Sequence, residues 1–251
     1  KSFTVNKNEA SIDNISISFT GDYLAYTRQI DEVILENIVT RNVLYTTQVD
    51  GRFGGSPIFS PTQNLLAVML SGANIQLIDL ESDIVSNLVP DYAPHDLSFS
   101  PLGNILVSRN DEYLDLWNVD TLEAIRHFEF INGGFITDTD INMSENLIAI
   151  AGSQLTPEIN LLVIDFETNE EILASDIYID SVFRVAFHPS MQILASGGRD
   201  GYVRLWDIGE TDSYIFEFEM DRAIINLAFT PDRNYLLAQT LTQLFIWEIS
   251  N

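Results

Sequence analysis

The chain has 251 residues, with 12 Lys and Arg against 37 Asp and Glu, a formal charge of −25 at pH 7, and no cysteine. So negative a surface repels phosphate backbones and anionic bilayers, which argues against nucleic acid and membrane partners, and without thiols there are no disulfides, thiolate metal sites or thiol nucleophiles. Hydrophobic residues make up 46%, enough for a substantial core, yet no uninterrupted apolar stretch reaches the length of a membrane span.

Taken in chain order, the elements repeat. Ser2–Val5 alternates polar with apolar like a short strand. Phe19 then opens a series of anchors, Phe19, Phe59, Phe99, Ile141, Phe187 and Phe229, at intervals of 40 to 46 residues. Four anchors lead into the same turn chemistry: FSPTQN at 59, FSPLGN at 99, FHPSMQ at 187 and FTPDRN at 229. Each turn feeds an apolar run, Leu65–Val68, Ile105–Val107, Ile193–Ala195 or Leu236–Ala238. Closing strands follow as IQLIDL at 75, YLDLWNV at 113, INLLVID at 159, YVRLWDI at 202 and QLFIWEI at 243. Between units lie Val43–Thr47, Ile84–Val89, Ala124–Phe130, Glu171–Ala174 and Tyr214–Phe218, alternating as edge strands with one wet face do. The fourth unit is the odd one, with a long connection over Gly152–Glu158 that is either a contact element or a neutral insertion. The repeat is clearest at 183–207, where Gly197–Gly201 (GGRDG) divides two apolar runs as a hairpin turn. Four strands every 40–45 residues is the spacing of propeller blades.

The LWD at 205–207, LWN at 116–118 and IWE at 246–248 resemble the Trp-Asp ending of WD-repeat β-propellers. The resemblance implies a buried hydrogen-bond network in which Ser196, Asp200 and Trp206 match three members and Ser108, Asp111 and Trp117 match again. The repeats diverge from the family. Its Gly-His pair is absent near Ile177–Tyr178 and Val89–Pro90, and Ile38, Ile78 and Ile164 stand near the place of Trp. In that family the first strand often completes the last blade. Here an orphan strand at Ser2–Val5 and a last unit one strand short supply the parts. The expectation is an all-β propeller of six four-stranded blades over residues 1–251, one domain, closed by the N-terminal strand; the rival is an open ring whose gap a partner fills.

No catalytic constellation emerges. His188 stands where Ser60, Ser100 and Thr230 occupy equivalent turns, His127 alternates with Phe128 and Phe130 on an outer strand, and His95 begins an inner strand. Asp138, Asp140 and Asn142 have the spacing that opens a calcium loop, but Met143 and Ala149 stand where that loop needs Gly and Glu, and strand alternation gives the same spacing. Gly51–Gly55 is followed by no Gly-Lys-Ser/Thr and is no phosphate cradle. Neither a cofactor nor a metal is expected.

What remains is a surface. In the resembled family, partners often bind where the inner strand begins and the second hairpin turns. Carried over, these positions are Ile15, Gly55, His95, Thr137, Phe183 and Ile225 at the inner strands, and Asp31, Ser71, Asn110, Arg199 and Thr240 at the turns. Of these, Phe183, Arg199, His95, Ile225, Asn110 and Asp31 are the expected partner contacts, with the aromatic–guanidinium pair Phe183 and Arg199 foremost. The function expected is a non-catalytic, monomeric scaffold for a protein or peptide, either by itself or as a sensor part of a larger protein. The alternative is a ligand- or metal-binding propeller, or a hydrolase, with an acidic central channel. The chain begins at Lys1 without Met, as a processed product or an excised domain would, and its compartment stays open between cytoplasmic and exported.

Overall fold

A computed structural model describes residues 12–29, 31–49, 56–70, 72–130, 134–142, 146–156, 159–177, 180–209 and 214–249. Among them lie 23 strands and no helix, arranged in six antiparallel sheets whose strands follow one another in chain order. The first sheet is β1–β4 (Ile12–Ile17, Tyr23–Arg28, Glu32–Asn37, Val43–Gln48) and the second β5–β8 (Ile58–Phe59, Leu65–Leu70, Asn74–Asp79, Ile84–Leu88). The third is β9–β12 (Asp96–Phe99, Ile105–Arg109, Tyr113–Asn118, Ala124–Glu129), and the fourth β13–β16 (Phe135–Asn142, Leu147–Thr156, Ile159–Asp165, Glu170–Ser175). The fifth is β17–β20 (Val182–Phe187, Ile193–Gly198, Tyr202–Asp207, Tyr214–Glu219); the sixth is β21–β23 (Asn226–Phe229, Tyr235–Gln239, Leu244–Glu248). Six sheets thus stand where six units are expected, and the sixth has three strands among the described residues. The closing strand expected at Ser2–Val5 lies outside the described residues, as do Gly51–Gly55 and Ser71.

Two turns recur because the same residue types recur. After the inner strand, the N–H of Ser18, Ser60, Ser100, His188 or Thr230 donates to the carbonyl five residues on, at 2.8–3.0 Å. After the third strand, Asn37, Asp79, Asn118 and Asp165 each accept the N–H groups two and three residues on through Oδ1, and Asp207 accepts that of Gly209 at 2.9 Å. The acid or amide after the Trp position is therefore a turn cap. Gly201 has φ +81°, and a Cβ on Gly197 would come within 2.7 Å of Ile224, so that hairpin needs glycine for two separate reasons.

Register places Trp206 opposite Leu194, Trp117 opposite Leu106, Ile164 opposite Ile148 and Ile78 opposite Leu66. In the first sheet the residue so placed, opposite Leu24, is Glu36; Ile38 is two residues too late. Phe19 also departs from expectation. It lies beyond the end of β1 and is 62% exposed, whereas Phe59 and Phe187 are buried.

The chain packs as two compact units, residues 1–110 with 114–128, and residues 111–113 with 129–251. In the first, Leu35 and Val33 share a core with Leu66 and Val68, and Ala67 and Leu77 share one with Leu106 and Trp117. Its sheets are also tied by polar contacts: Ser16 Oγ accepts the Phe59 N–H at 3.0 Å, Thr20 Oγ1 donates to Asn64 Oδ1 at 3.1 Å, and Thr62 Oγ1 donates to the Leu102 carbonyl at 2.8 Å.

In the second unit, Leu161, Val163 and Leu173 pack on Val185, Phe187 and Trp206, and Val203 and Leu205 pack on Ile224, Leu227 and Leu236. Asp138 and Asp140, two residues apart on β13, take the N–H groups of Val185 (3.1 Å) and Phe187 (2.7 Å) on β17. His188 is a turn residue, as its position predicts, but it is also 1% exposed and does more. Its Nδ1 accepts the N–H groups of Ser190 and Met191, leaving Nε2 to donate to the Arg233 carbonyl of the next sheet at 3.2 Å.

Two outcomes follow. Ser196→Ala strips the acceptor from a buried indole N–H, which sits 2.7 Å from Ser196 Oγ. It is expected to cost about 1–3 kcal/mol, read as a lower denaturant midpoint at unchanged m-value; an unchanged midpoint contradicts this role. Burial pushes the Asp140 carboxyl up to about 7 from 3.8, against the pull of its two backbone N–H bonds. The folded state therefore holds the proton more tightly than the unfolded one. This group's contribution is full below pH about 4 and is lost as pH rises through about 7. Asp140→Asn keeps the acceptor without the charge, so the variant gains on the parent protein as pH rises from 4 to 8, and a stability difference constant over that range refutes the assignment.

Candidate functional site

The buried polar side chains of the third and fifth sheets form two hydrogen-bonded clusters of similar plan. In the fifth, Trp206 Nε1 donates to Ser196 Oγ; in the third, Trp117 Nε1 donates to Ser108 Oγ at 2.9 Å. Asp200 has a buried carboxylate that takes Arg204 Nη1 at 2.7 Å and the Tyr202 N–H at 3.2 Å. Arg204, itself buried, also reaches Glu217 Oε2 at 2.7 Å and lies 4.8 Å from the Tyr202 ring centre. Asp111, expected in the buried network as the counterpart of Asp200, is instead exposed, and its carbonyl accepts the Ile136 N–H at 2.7 Å.

At the position matching Arg204, two before Trp117, stands Asp115, paired with His127 Nδ1 at 2.6 Å. Burial raises the Asp115 carboxyl and the His127 contact opposes that rise. Tyr92 completes the third-sheet cluster. Its hydroxyl donates to the Ser108 carbonyl at 2.6 Å and lies 3.1 Å from Ser108 Oγ, and burial drives it far above the ordinary phenol range. Tyr92 thus supplies a hydrogen-bonding ring close to where the family's Gly-His pair is missing. These groups hold one another across strands, and Ser108 and Ser196 are fully buried. Such an arrangement suits strand locking better than attack on a substrate.

The carboxylates of Asp138 and Asp140 are engaged with backbone N–H groups of β17, and among the described residues no group of three His, Cys, Asp or Glu is placed to hold a metal ion. No helix there is long and apolar enough to cross a membrane.

The expected contact residues fall in both units. In the first unit, Asp31 and His95 are exposed and Asn110 is half-buried. The His95 N–H donates to the Arg109 carbonyl and Asn110 Nδ2 to the Ala93 carbonyl, which brings those two residues to one end of the third sheet. In the second unit, Phe183 and Ile225 are half-buried and the Arg199 side chain is 65% exposed. Phe183 and Arg199 meet the same end of the fifth sheet, since Val182 pairs with Gly198 and the Arg199 N–H donates to Ser181. Arg199 Nε also lies 3.5 Å from Asp180 Oδ2.

The long connection expected at Gly152–Glu158 proves to be strand through most of its length. β14 runs to Thr156, Asn160 Oδ1 accepts the Gln154 N–H at 2.6 Å, and Asn160 Nδ2 donates to the Asp180 carbonyl at 3.3 Å. The fourth sheet's hairpin is therefore pinned to the segment that faces Arg199. Sequence reasoning passed over Tyr92, Asp115, Arg204 and Asn160. Each is a polar residue amid an apolar run or beside a Pro turn, the one local sign of a buried partner.

Residues 178–207 match the family model described as WD domain, G-beta repeat. The chain is 23% identical over 235 residues to eukaryotic translation initiation factor 3 subunit I of Caenorhabditis briggsae, covering 83% of this chain and 71% of that protein. It is 39% identical over 70 residues to small ribosomal subunit protein RACK1 of Brassica napus, covering 28% of this chain and 21% of that protein. In fold it is similar to a chain of the crystal structure of a mitotic checkpoint complex, with TM-score 0.72, 14% identity, and 98% of this chain and 77% of that one covered. Six consecutive antiparallel sheets and the likeness to that solved chain show a β-propeller fold, and the match over residues 178–207 shows a WD repeat in the LWD unit of a chain similar to WD-repeat proteins.

Proposed function

We propose that the chain, as one domain over residues 1–251, is a non-catalytic scaffold that binds a protein or peptide through the loops at the ends of its inner strands. The observation that carries this reading is that Phe183, at the register shift between Val182 and Arg184, and Arg199 lie at one end of the fifth sheet, beside the pinned hairpin of the fourth. An exposed ion pair such as Arg199–Asp180 contributes about 0–1 kcal/mol, so a partner carboxylate can take over the guanidinium at little cost. The half-buried Phe183 offers apolar area from a rigid strand, which costs little ordering entropy on binding. His95 and Asn110 offer a second, polar contact at the matching end of the third sheet.

The relatives support the scaffold reading by name alone: one is a subunit of an initiation factor, one a protein of the small ribosomal subunit, and the structural neighbour is a chain within a complex. The net charge of −25 favours partners with basic surfaces and disfavours nucleic acid and anionic membranes. The absence of a catalytic role rests on the buried hydroxyls of Ser108 and Ser196 and on the engagement of His127 and His188 by Asp115 and Arg233.

A pull-down with the Phe183→Ala/Arg199→Ala double variant tests the surface. Capture of the partner should fall by at least about tenfold, as loss of roughly 1.4 kcal/mol or more implies, with circular dichroism and melting temperature preserved. Capture equal to that of the unsubstituted protein shows that the partner binds elsewhere.

A further inference from the structure

Trp206 of the fifth sheet and Trp117 of the third each close on the sheet before. Trp206 shares a core with Val163 and Leu173, and Trp117 with Ala67 and Leu77. The matching position of the second sheet, opposite Leu66, is Ile78, which packs toward the first sheet beside Leu35 and Tyr45. On the outer strand Ile78 pairs with Val85, where Trp206 pairs with Tyr214. Two rings are thus replaced by two aliphatic side chains.

The difference leaves space. Between the first and second sheets runs a groove of about 540 Å³ whose lining includes Tyr23, Leu44, Tyr45, Ile78, Asp83 and Val85. The groove at the matching place between the second and third sheets, lined by Leu77, Ser86 and Val119, is about 200 Å³. It is the smaller even though Ser86, opposite Leu77 as Tyr45 is opposite Leu35, is the smaller side chain. All three sheets have their four strands, so no missing strand accounts for the larger groove. Leu44 and Val85 are 51% and 45% exposed, which leaves it open to solvent. A groove of this size, apolar with a few polar groups, suits one inserted side chain.

Its charge is acidic. No Lys or Arg is among the lining residues, and Asp83 stands exposed on the turn between β7 and β8. Asp79 also lines the groove but spends its carboxylate on Ser82 Oγ at 2.6 Å and the Glu81 N–H at 2.9 Å, so the acid presented to a cation is Asp83. Val68 stands opposite Gln76, as Ser108 stands opposite Asp115 and Ser196 opposite Arg204, and Gln76 Oε1 already accepts the Tyr45 hydroxyl. An indole entering from outside would find no serine for its N–H; a phenyl ring has no such need.

We propose that this groove is a docking site for a segment of a partner protein that inserts one Phe ring by Tyr45, Ile78 and Val85 and sets a Lys or Arg beside Asp83. The ring takes the place that Trp117 and Trp206 fill from within their own sheets. Charge complementarity favours this occupant over a second copy, because chains of net charge −25 repel one another. The site lies in the first unit and the Phe183–Arg199 surface in the second, and neither assignment depends on the other.

The probe is a fluorescein-labelled nine-residue peptide of Gly and Ser with one central Phe and a Lys two residues to either side, titrated against the full chain by fluorescence anisotropy at physiological salt. Saturable binding is expected. Replacing the Phe by Ala, at unchanged peptide charge, should weaken it by at least about tenfold, which separates ring insertion from plain attraction to an acidic surface. Ile78→Phe fills the groove from within and should weaken binding by a similar factor. Leu44→Ala and Asp83→Lys, at exposed positions that spare the fold, should each weaken it by about threefold or more, and they test the site even if Ile78→Phe misfolds. Amide exchange over Val43–Gln48 and Ile84–Leu88 should slow on peptide addition, and the Phe183→Ala/Arg199→Ala variant should bind the peptide unchanged. Absence of saturable binding, equal binding of the Ala peptide, or indifference to both Leu44→Ala and Asp83→Lys overturns the proposal. So does a dimer of the unliganded chain that Leu44→Ala dissociates, since a second copy then holds the groove.

Discussion

An antiparallel sheet of three or four strands has two faces and cannot bury both by itself, and the rest of the structure depends on that constraint. Each unit answers it by packing sheet on sheet. Val163 and Leu173 share a core with Val185, Phe187 and Trp206 of the next sheet; Val203 and Leu205 share one with Leu227 and Leu236. Apolar burial of this kind is roughly 25 cal/mol per Å², but it is non-directional and leaves register undetermined. The direction comes from polar side chains that reach from one sheet to the backbone of the next: Ser16 to Phe59, Asp138 to Val185, Asp140 to Phe187. A buried N–H that loses its acceptor is costly, so these contacts penalise slippage between sheets.

The same constraint explains where polar residues are tolerated inside. Arg204 and Asp115 occupy the middle of third strands, and each is matched by a partner of opposite or complementary character on the fourth strand, Glu217 and His127. The serines facing Trp117 and Trp206 give each indole its acceptor. These clusters make every sheet that contains them more specific without exposing a reactive group. Function is thereby moved outward, to the strand ends and turns that a rigid framework holds in place.

How much of this was legible in the sequence follows from the range of the interaction. The two recurrent turns are local, so FSPTQN, FSPLGN and the acid after Trp206 or the amide after Trp117 placed strands to within a residue or two. The outer strand expected at Val43–Thr47 is β4, and that at Tyr214–Phe218 is β20, because period-two alternation survives in a half-wet strand. Long-range contacts left weaker traces. The bond between Asp140 and Phe187 spans 47 residues, and only the pair of acids on one face of β13 hinted at it. Spacing alone misplaced the first sheet: Phe19 looks like its siblings yet lies beyond β1, and Glu36, not an isoleucine, stands opposite Leu24. Tyr92 was invisible because its role is defined by a serine 16 residues away.

Burial between sheets, and not strand propensity, is thus what stabilises each unit. Native-state hydrogen exchange tests this most directly. Amides of β14, β15, β18 and β19, buried between sheets, should exchange only with global unfolding of their unit, while those of β20 and β23 open at distinctly lower free energy. Equal protection across β18, β20 and β23 in the isolated protein would contradict the account.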